Sequence, residues 1–497
     1  MVKYRLNPTI YEVNTLLWLN QLREVYGSDL TLSRVPYEEW LRLKKQGFDY
    51  IWLMGVWKRS SKSREIAMNI DALKAQYSLA LPEWKPEDVV GSPYAIQTYD
   101  VDPLLGRLED LKEVRKILNE LNIGLILDYV PNHVAIDHPW VFKHPDYFIC
   151  VDAAEAERNP PHYTVVDLGS ERVFIAHGRD PYFPPWTDTV QINIFCAEAR
   201  EALIEVLELI SSLCDGVRCD VAMLLLNDVF ERTWGHLLKK LRFSRSGEEF
   251  WREAISRVKT LNPDFNMIAE VYWGLQDRLL DLGFDYVYDK DLYDSLFNEQ
   301  LEALKRCTSI NVSRQSRYVR FTENHDEIRA VNAFGRERSM AASLITYTTP
   351  SMRLFHQGQL EGRRIKAPLQ LQRIKSEDVD EEIQRFYNDL LNLLNTNTLH
   401  NGDWRLLTVE GAQTVFGWIW EYDLESVLIC VNYSGREAEC SVKVDGLTNI
   451  PLNITPFFRK GATLIDAEKD YVRLRFEPYG FWLSRMVSHP PNQQNEG

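Results

Sequence analysis

The sequence predicts an α/β fold: a closed eight-stranded parallel barrel followed by an antiparallel β domain. Three observations carry that reading. Short apolar strand-like runs alternate with longer amphipathic stretches over most of the 497 residues, the pattern of parallel strands joined by helical crossovers. The alternation occurs eight times, which favours a closed (β/α)8 TIM barrel over an open doubly wound sheet. Beyond about residue 398 the helical period gives way to strict alternation, as in antiparallel strands.

Taken in order, the predicted barrel strands are 9–17, 50–56, 124–130, 216–222, 266–273, 285–288, 318–323 and 353–356. Each is a short apolar run such as YIWLM, GLILDY or NMIA, too short for a helix of its own. Helices are predicted over 37–46, 108–121, 197–213, 247–261, 292–305, 337–347 and 377–394, where apolar residues recur at three- and four-residue intervals. Two stretches interrupt the alternation: 58–92, and 133–189 after the third strand, rich in Pro, His and aromatics. The second reads as a subdomain inserted over the barrel mouth. The expected division is therefore a barrel of 1–132 and 190–397, an inserted domain of 133–189, a C-terminal β-sandwich of 398–487 and a mobile tail of 488–497.

Composition excludes several functions. Lys and Arg number 57 against 72 Asp and Glu, a net charge of −15 that would repel a nucleic acid. No apolar run is long enough for a membrane span, and the opening MVKYRLNPTIYEVN lacks the basic and apolar segments of a secretion signal, so a cytoplasmic protein is expected. The seven cysteines contain no CxxC pair, which argues against a disulfide framework and against a zinc site.

Four carboxylates fall at predicted strand ends: Asp128 in ILDYVPNH, Asp220 in GVRCD, Glu270 in MIAEVYW and Asp326 in ENHD. In a parallel barrel those ends face one cavity, so residues far apart in sequence converge there. Arg218 lies two residues before Asp220, hence on the same strand face, and its guanidinium is expected to keep Asp220 ionised. Glu270 follows Met267, Ile268 and Ala269 and precedes Tyr272 and Trp273, an apolar setting expected to raise its pKa toward general-acid work. Such a split suits an acid and a nucleophile. His133 and His325 stand beside Asn132 and Asn324 at two strand ends, where neutral imidazoles suit sugar hydroxyls.

In their order and spacing, DYVPNH, GVRCD, IAEVYW and ENHD resemble the four signature regions of the α-amylase superfamily, glycoside hydrolase family 13. The resemblance implies a retaining glycosidase with Asp220 as nucleophile, Glu270 as acid/base and Asp326 as transition-state stabiliser. It places Arg218, His133, His325 and Tyr94, of GSPYAIQTYD, around the same sugar, with Trp273 as a platform for the leaving sugar and Asp128 and Asn132 as architectural residues. No cofactor is required; Ca2+ is allowed for through Asn132, with Asp167 as a second candidate ligand. Two departures stand out. The Lys-His pair that follows the nucleophile in many long-glucan enzymes is replaced by Val221-Ala222-Met223-Leu224, and Ala95 replaces the Asp of exo-acting glucosidases.

The expected function is hydrolysis of α-1,4 bonds in α-glucans or maltooligosaccharides through a covalent glycosyl-enzyme. A transglycosylase or isomerase of the 4-α-glucanotransferase or trehalose-synthase type, sharing that intermediate, stands as the alternative. A non-catalytic sugar-binding protein is the third. Trp186, and the C-terminal aromatics Trp404, Trp418, Trp420, Tyr433 and Trp482, are further candidates for sugar contact, although strand-borne aromatics are more often core. Oligomeric state is left open.

Overall fold

The computed structural model of the protein describes residues 5–169, 171–241, 243, 245–444, 456–468 and 470–487. Eight parallel strands close a barrel in chain order: β1 Thr9–Asn14, β2 Tyr50–Met54, β3 Gly124–Tyr129, β4 Gly216–Cys219, β5 Asn266–Ala269, β6 Tyr286–Tyr288, β7 Tyr318–Arg320 and β8 Met352–His356. Closure lies at β1, which pairs β2 on one side and β8 on the other, with Ile10 opposite both Tyr50 and Leu354. Close packing inside demands glycine at one point: a Cβ on Gly216 would sit 2.6 Å from the Asn266 carbonyl oxygen.

Several strands end sooner than their apolar runs. The β4 ladder stops at Cys219 and the chain turns at Val221, which takes φ +39°. β1 stops at Asn14, whose side chain caps the helix Thr15–Tyr26 by accepting from the Leu17 N–H at 3.3 Å. The run TLLWL therefore belongs to that helix and not to the first strand. The predicted 292–305 helix is two, Lys290–Phe297 and Leu301–Thr308, separated where Glu299 adopts φ +53°. A helix over Asn227–Leu238 was not foreseen.

Segment 58–92 carries the helices Ser61–Ala67 and Asp71–Ala80, and strand Trp57–Arg59 just before it pairs antiparallel with Ile96–Val101. After β3, a three-stranded sheet orders Cys150–Val151, Arg172–Ala176 and Tyr163–Asp167, and Thr189–Gln191 pairs with His133–Ala135. No helix among the described residues is long and apolar enough to cross a membrane.

The C-terminal part contains β9 Asp403–Leu406, β10 Thr408–Glu410, β11 Val415–Tyr422, β12 Glu425–Asn432, β13 Ala438–Lys443, β14 Pro456–Glu468 and β15 Tyr471–Val487. Hydrogen bonding joins them into one seven-stranded antiparallel set, whose strands also enclose a core of their own. The long β15 is the reason. Its first half pairs with β13 and its second half with β12, so one strand serves both halves. Trp418, Trp420, Trp482 and Tyr433 are buried, and Trp404 nearly so, which makes them core and not a polysaccharide face. The 488–497 tail lies outside the described residues.

Candidate active site

Three carboxylates emerge from the C-terminal end of the barrel in two hydrogen-bonded groups, Asp220 and Glu270 around Arg218 and Asp326 beside His325. Asp220 is delivered by the end of β4 and its N–H is held by the Tyr129 carbonyl at 2.9 Å; the Glu270 N–H, past β5, donates to Cys219 O at 3.0 Å. Backbone bonds to neighbouring strands thus fix where both side chains start. The Arg218 guanidinium, from inside β4, bridges them, with Nη1 2.5 Å from Asp220 Oδ1 and Nη2 2.8 Å from Glu270 Oε2. Rings of Trp52, Tyr94 and Tyr288 surround that guanidinium at 5.3, 5.4 and 5.8 Å from its carbon.

The environment of Glu270 differs from the apolar one expected. It accepts from Arg218, from the Val221 N–H at 2.6 Å and from the Tyr272 hydroxyl at 2.5 Å. Both Val221 and Trp273 occupy the left-handed region, at φ +39° and +64°, a costly conformation for side chains of this kind. In Val221 that turn aims the N–H at Glu270. Asp220 also departs from expectation: burial, with the Glu270 charge adding to it, raises its carboxyl to about 7 against the pull of Arg218. A guanidinium that also serves Glu270 does not offset the desolvation of Asp220.

His325 Nε2 lies 3.1 Å from Asp326 Oδ2 and 3.0 Å from the Tyr94 hydroxyl, with the Tyr94 ring stacked on the imidazole at 5.3 Å. Burial alone would depress His325, but Asp326 and Glu12 on its two ring nitrogens outweigh this and lift it to about 10. Against the desolvation of the crowded cavity, the His325 charge and hydrogen bond, with Arg218 and Lys366 nearby, hold Asp326 well below the carboxylate range. Its side chain stays 42% exposed at the mouth. His133, next to Trp186 at 4.9 Å between ring centres, is depressed by burial to about 4 and is neutral at pH 7.

Asp128 is buried and ties β2 to β3 by accepting from Trp52 Nε1 at 3.2 Å and from the Gly55 N–H at 2.7 Å. Trp273 stands apart from the carboxylate network, 40% exposed on the rim and edge-on to Tyr182 at 5.0 Å. Tyr182 and Phe183, on the loop between Arg179 and Trp186, are more exposed still. The oxygens of Asn132 do not fit a calcium site. Gln191 Nε2 sits 2.9 Å from Asn132 O, 3.1 Å from Asn132 Oδ1 and 3.1 Å from Ile192 O, so an amide N–H2 fills the place between those oxygens. Asp167 is exposed on Tyr163–Asp167 and accepts from the Gly169 N–H, and no group of three metal-binding side chains occurs among the described residues. Glu12, Trp52, Tyr288 and Tyr182 join the site without having been read from the sequence, and Tyr272, read there only as apolar surroundings of Glu270, joins it as a hydrogen-bond donor. Glu12 alone offered a signal, as a carboxylate near the end of an apolar strand.

Carboxylates, a guanidinium and imidazoles crowded at the mouth of a parallel barrel define a glycoside-hydrolase type of enzyme site. Residues 38–389 match the family model for the α-amylase catalytic domain, and the chain belongs to that family. An α-amylase of Haloarcula japonica is 23% identical over 300 residues, covering 59% of this chain and 39% of that protein. Alpha-amylase 3 of Dictyoglomus thermophilum is 22% identical over 294 residues, covering 54% and 53%. The chain thus spans about two fifths and one half of those relatives. Among solved structures, a maltogenic α-amylase from Thermotoga neapolitana superposes with a TM-score of 0.68 at 20% identity over 97% of this chain and 99% of that one. An α-amylase from Geobacillus thermoleovorans complexed with acarbose gives 0.65 at 18% identity over 98% and 100%. Both share the fold.

Proposed function

We propose that the protein is a retaining α-glycosidase acting on α-1,4 bonds of maltooligosaccharides or longer α-glucans. The observation that carries this reading is the bridging of Asp220 and Glu270 by the single Arg218 guanidinium, with Asp326 held by His325 at the same end of the barrel. Two carboxylates gripping one guanidinium suit the separation of about 5–5.5 Å used for a covalent intermediate better than the wider gap that admits a water. In the reaction Glu270 protonates the glycosidic oxygen while Asp220, oriented by Arg218, attacks the anomeric carbon. Water then breaks the Asp220–sugar bond with Glu270 as base, and the α configuration returns. The ionised Asp326 faces the positive charge that grows on the sugar ring. Relatives bearing α-amylase names support this substrate class, and seven free thiols suit a reducing cytoplasm.

A second reading, transfer of the glycosyl group to another sugar, is favoured by the rim itself. Exposed Trp273, Tyr182 and Phe183 offer stacking surfaces, and apolar Val221 to Leu224 replace polar contacts. Maltoheptaose with and without glucose acceptor, followed by chromatography and anomer-resolved NMR, separates the readings. Shorter α-anomeric products in both mixtures fit hydrolysis; products longer than the substrate fit transfer. No turnover of any α-glucan would refute both.

A further inference from the structure

Glu12 lies in β1, fully buried, and no sequence motif marks it. Its Oε1 contacts His325 Nδ1, while Oε2 has no hydrogen-bond partner among the described residues, so within them His325 is the sole hydrogen-bonded anchor of this carboxylate. The imidazole therefore has a carboxylate on each nitrogen: Glu12 on Nδ1 and Asp326 on Nε2. A neutral ring carries one proton and would turn a lone pair on one of them; only the doubly protonated ring donates to both. The ring is also fixed in orientation, edge-on to Trp52 at 5.5 Å and stacked on Tyr94.

We propose that Glu12 is a positioning residue that holds His325 as an imidazolium, so that a charged Nε2–H points permanently at Asp326 and the sugar site. The inference rests on the glycosidase reading for its effect on turnover, although not for the state of His325. A charged donor makes a hydrogen bond roughly twice as strong as a neutral one. It also adds positive charge beside a reaction that develops positive charge on the sugar, and the Glu12 carboxylate cancels that charge from behind. Other charged or titratable groups that face this cluster are Asp128, Tyr94 and Arg218 on the barrel side, His356 beyond Glu12, and Lys366 at the Asp326 carbonyl.

The test is Glu12→Gln, which keeps shape and removes charge. In protein labelled with 15N-histidine, the His325 signals are assigned by their loss in His325→Gln. In the wild type both ring nitrogens are expected to keep imidazolium shifts through pH 8; in E12Q the ring is expected to titrate near the ordinary value of about 6.5. On maltoheptaose, E12Q is expected to lose about 10–100-fold in kcat, the range for orienting partners, with KM little changed. The alkaline limb of its pH profile is expected to shift about one unit or more toward acid. A neutral wild-type His325 at pH 7.5, or unaltered His325 titration in E12Q, overturns the proposal. So does an unchanged kcat and pH profile in an active enzyme. If the wild type cleaves no α-glucan, the glycosidase reading fails while the NMR still decides the role of Glu12. Should E12Q fail to fold, Glu12→Asp retains the charge: it is expected to keep the imidazolium, and titration near 6.5 in this variant refutes the inference.

Discussion

Arg218 is the residue that ties the two carboxylates together, since its two terminal nitrogens are divided between Asp220 and Glu270. Arg218→Lys keeps the charge but loses the fork. Its expected outcome is a fall of roughly a hundredfold or more in kcat/KM, comparable with loss of a positioned acid–base group, and a pH optimum displaced toward alkali as Asp220 rises further. Steady-state kinetics across pH checks both. His325 makes a separate prediction through linkage. Its folded pKa is raised to about 10, above an unfolded value near 6.5, so its stabilising contribution is complete below pH 6.5 and is lost as pH climbs through 10. The stability gap between wild type and His325→Gln, from denaturant titrations, should be widest near pH 6 and shrink toward pH 10. Asp220, Glu270 and Asp326 were legible because apolar strands bracket them and short motifs mark them. Glu12 obeys the same strand-end rule but carries no motif, and the Tyr272 hydroxyl bond depends on a backbone turn that sequence does not specify. The charge states were read less well, because local neighbours were visible in sequence while the desolvation of the whole cluster was not.

At the scale of elements, the junctions between strand and loop carry the chemistry, and they are what apolar periodicity places worst. All eight strands were foreseen, yet 216–222 and 266–273 overshoot, because side chains beyond the ladder remain buried in the site. Asn14 as a helix cap was readable; the all-apolar run after it hid the change of period. The loop from Arg179 to Trp186 arches between His133, through Trp186, and Trp273, through Tyr182. Trp273→Ala or Tyr182→Ala is expected to raise KM for maltoheptaose several-fold, at about 0.5–1.5 kcal/mol per lost aromatic stacking surface, and to reduce any transfer products. Equal kinetics in both variants would remove the rim from the binding site. The junction of the inserted segment with β3 gives a prediction about metal. With Gln191 Nε2 among three oxygens, a chelator is expected to leave the melting temperature unchanged, whereas Gln191→Leu strands the buried Asn132 amide oxygen and costs about 1–3 kcal/mol. Calorimetry with and without EDTA checks both halves, and a chelator-induced drop would restore calcium.

For the molecule as a whole, the C-terminal sheet completes the barrel's core. Trp418, Trp420, Val427, Ile429 and Phe481 from its inner face belong to the same hydrophobic cluster as the barrel strands and helices, while Leu428, Cys430, Leu474 and Phe476 form the sheet's own core on the other side. The helix Arg336–Tyr347 lies between: its residues from Ser339 to Tyr347 are all buried, packed by the barrel on one side and the sheet on the other. Such a helix reads in sequence as weakly amphipathic, which is why periodicity found the element but not its second partner. Trp420 Nε1 donates to the Thr348 carbonyl at the end of that helix at 2.7 Å, joining the two parts at a point where no water is available as a substitute. Trp420→Phe keeps most of the packing and leaves that carbonyl without its donor, an expected cost of about 1–3 kcal/mol. Because the cluster is shared, the loss should lower one common transition in calorimetry and circular dichroism, not a separate C-terminal step. A resolved early transition confined to the sheet would mean that the interface is weaker than its burial implies. The same reasoning predicts that a chain cut before residue 398 aggregates on expression, since it leaves the outer face of Arg336–Tyr347 and its apolar neighbours open to water.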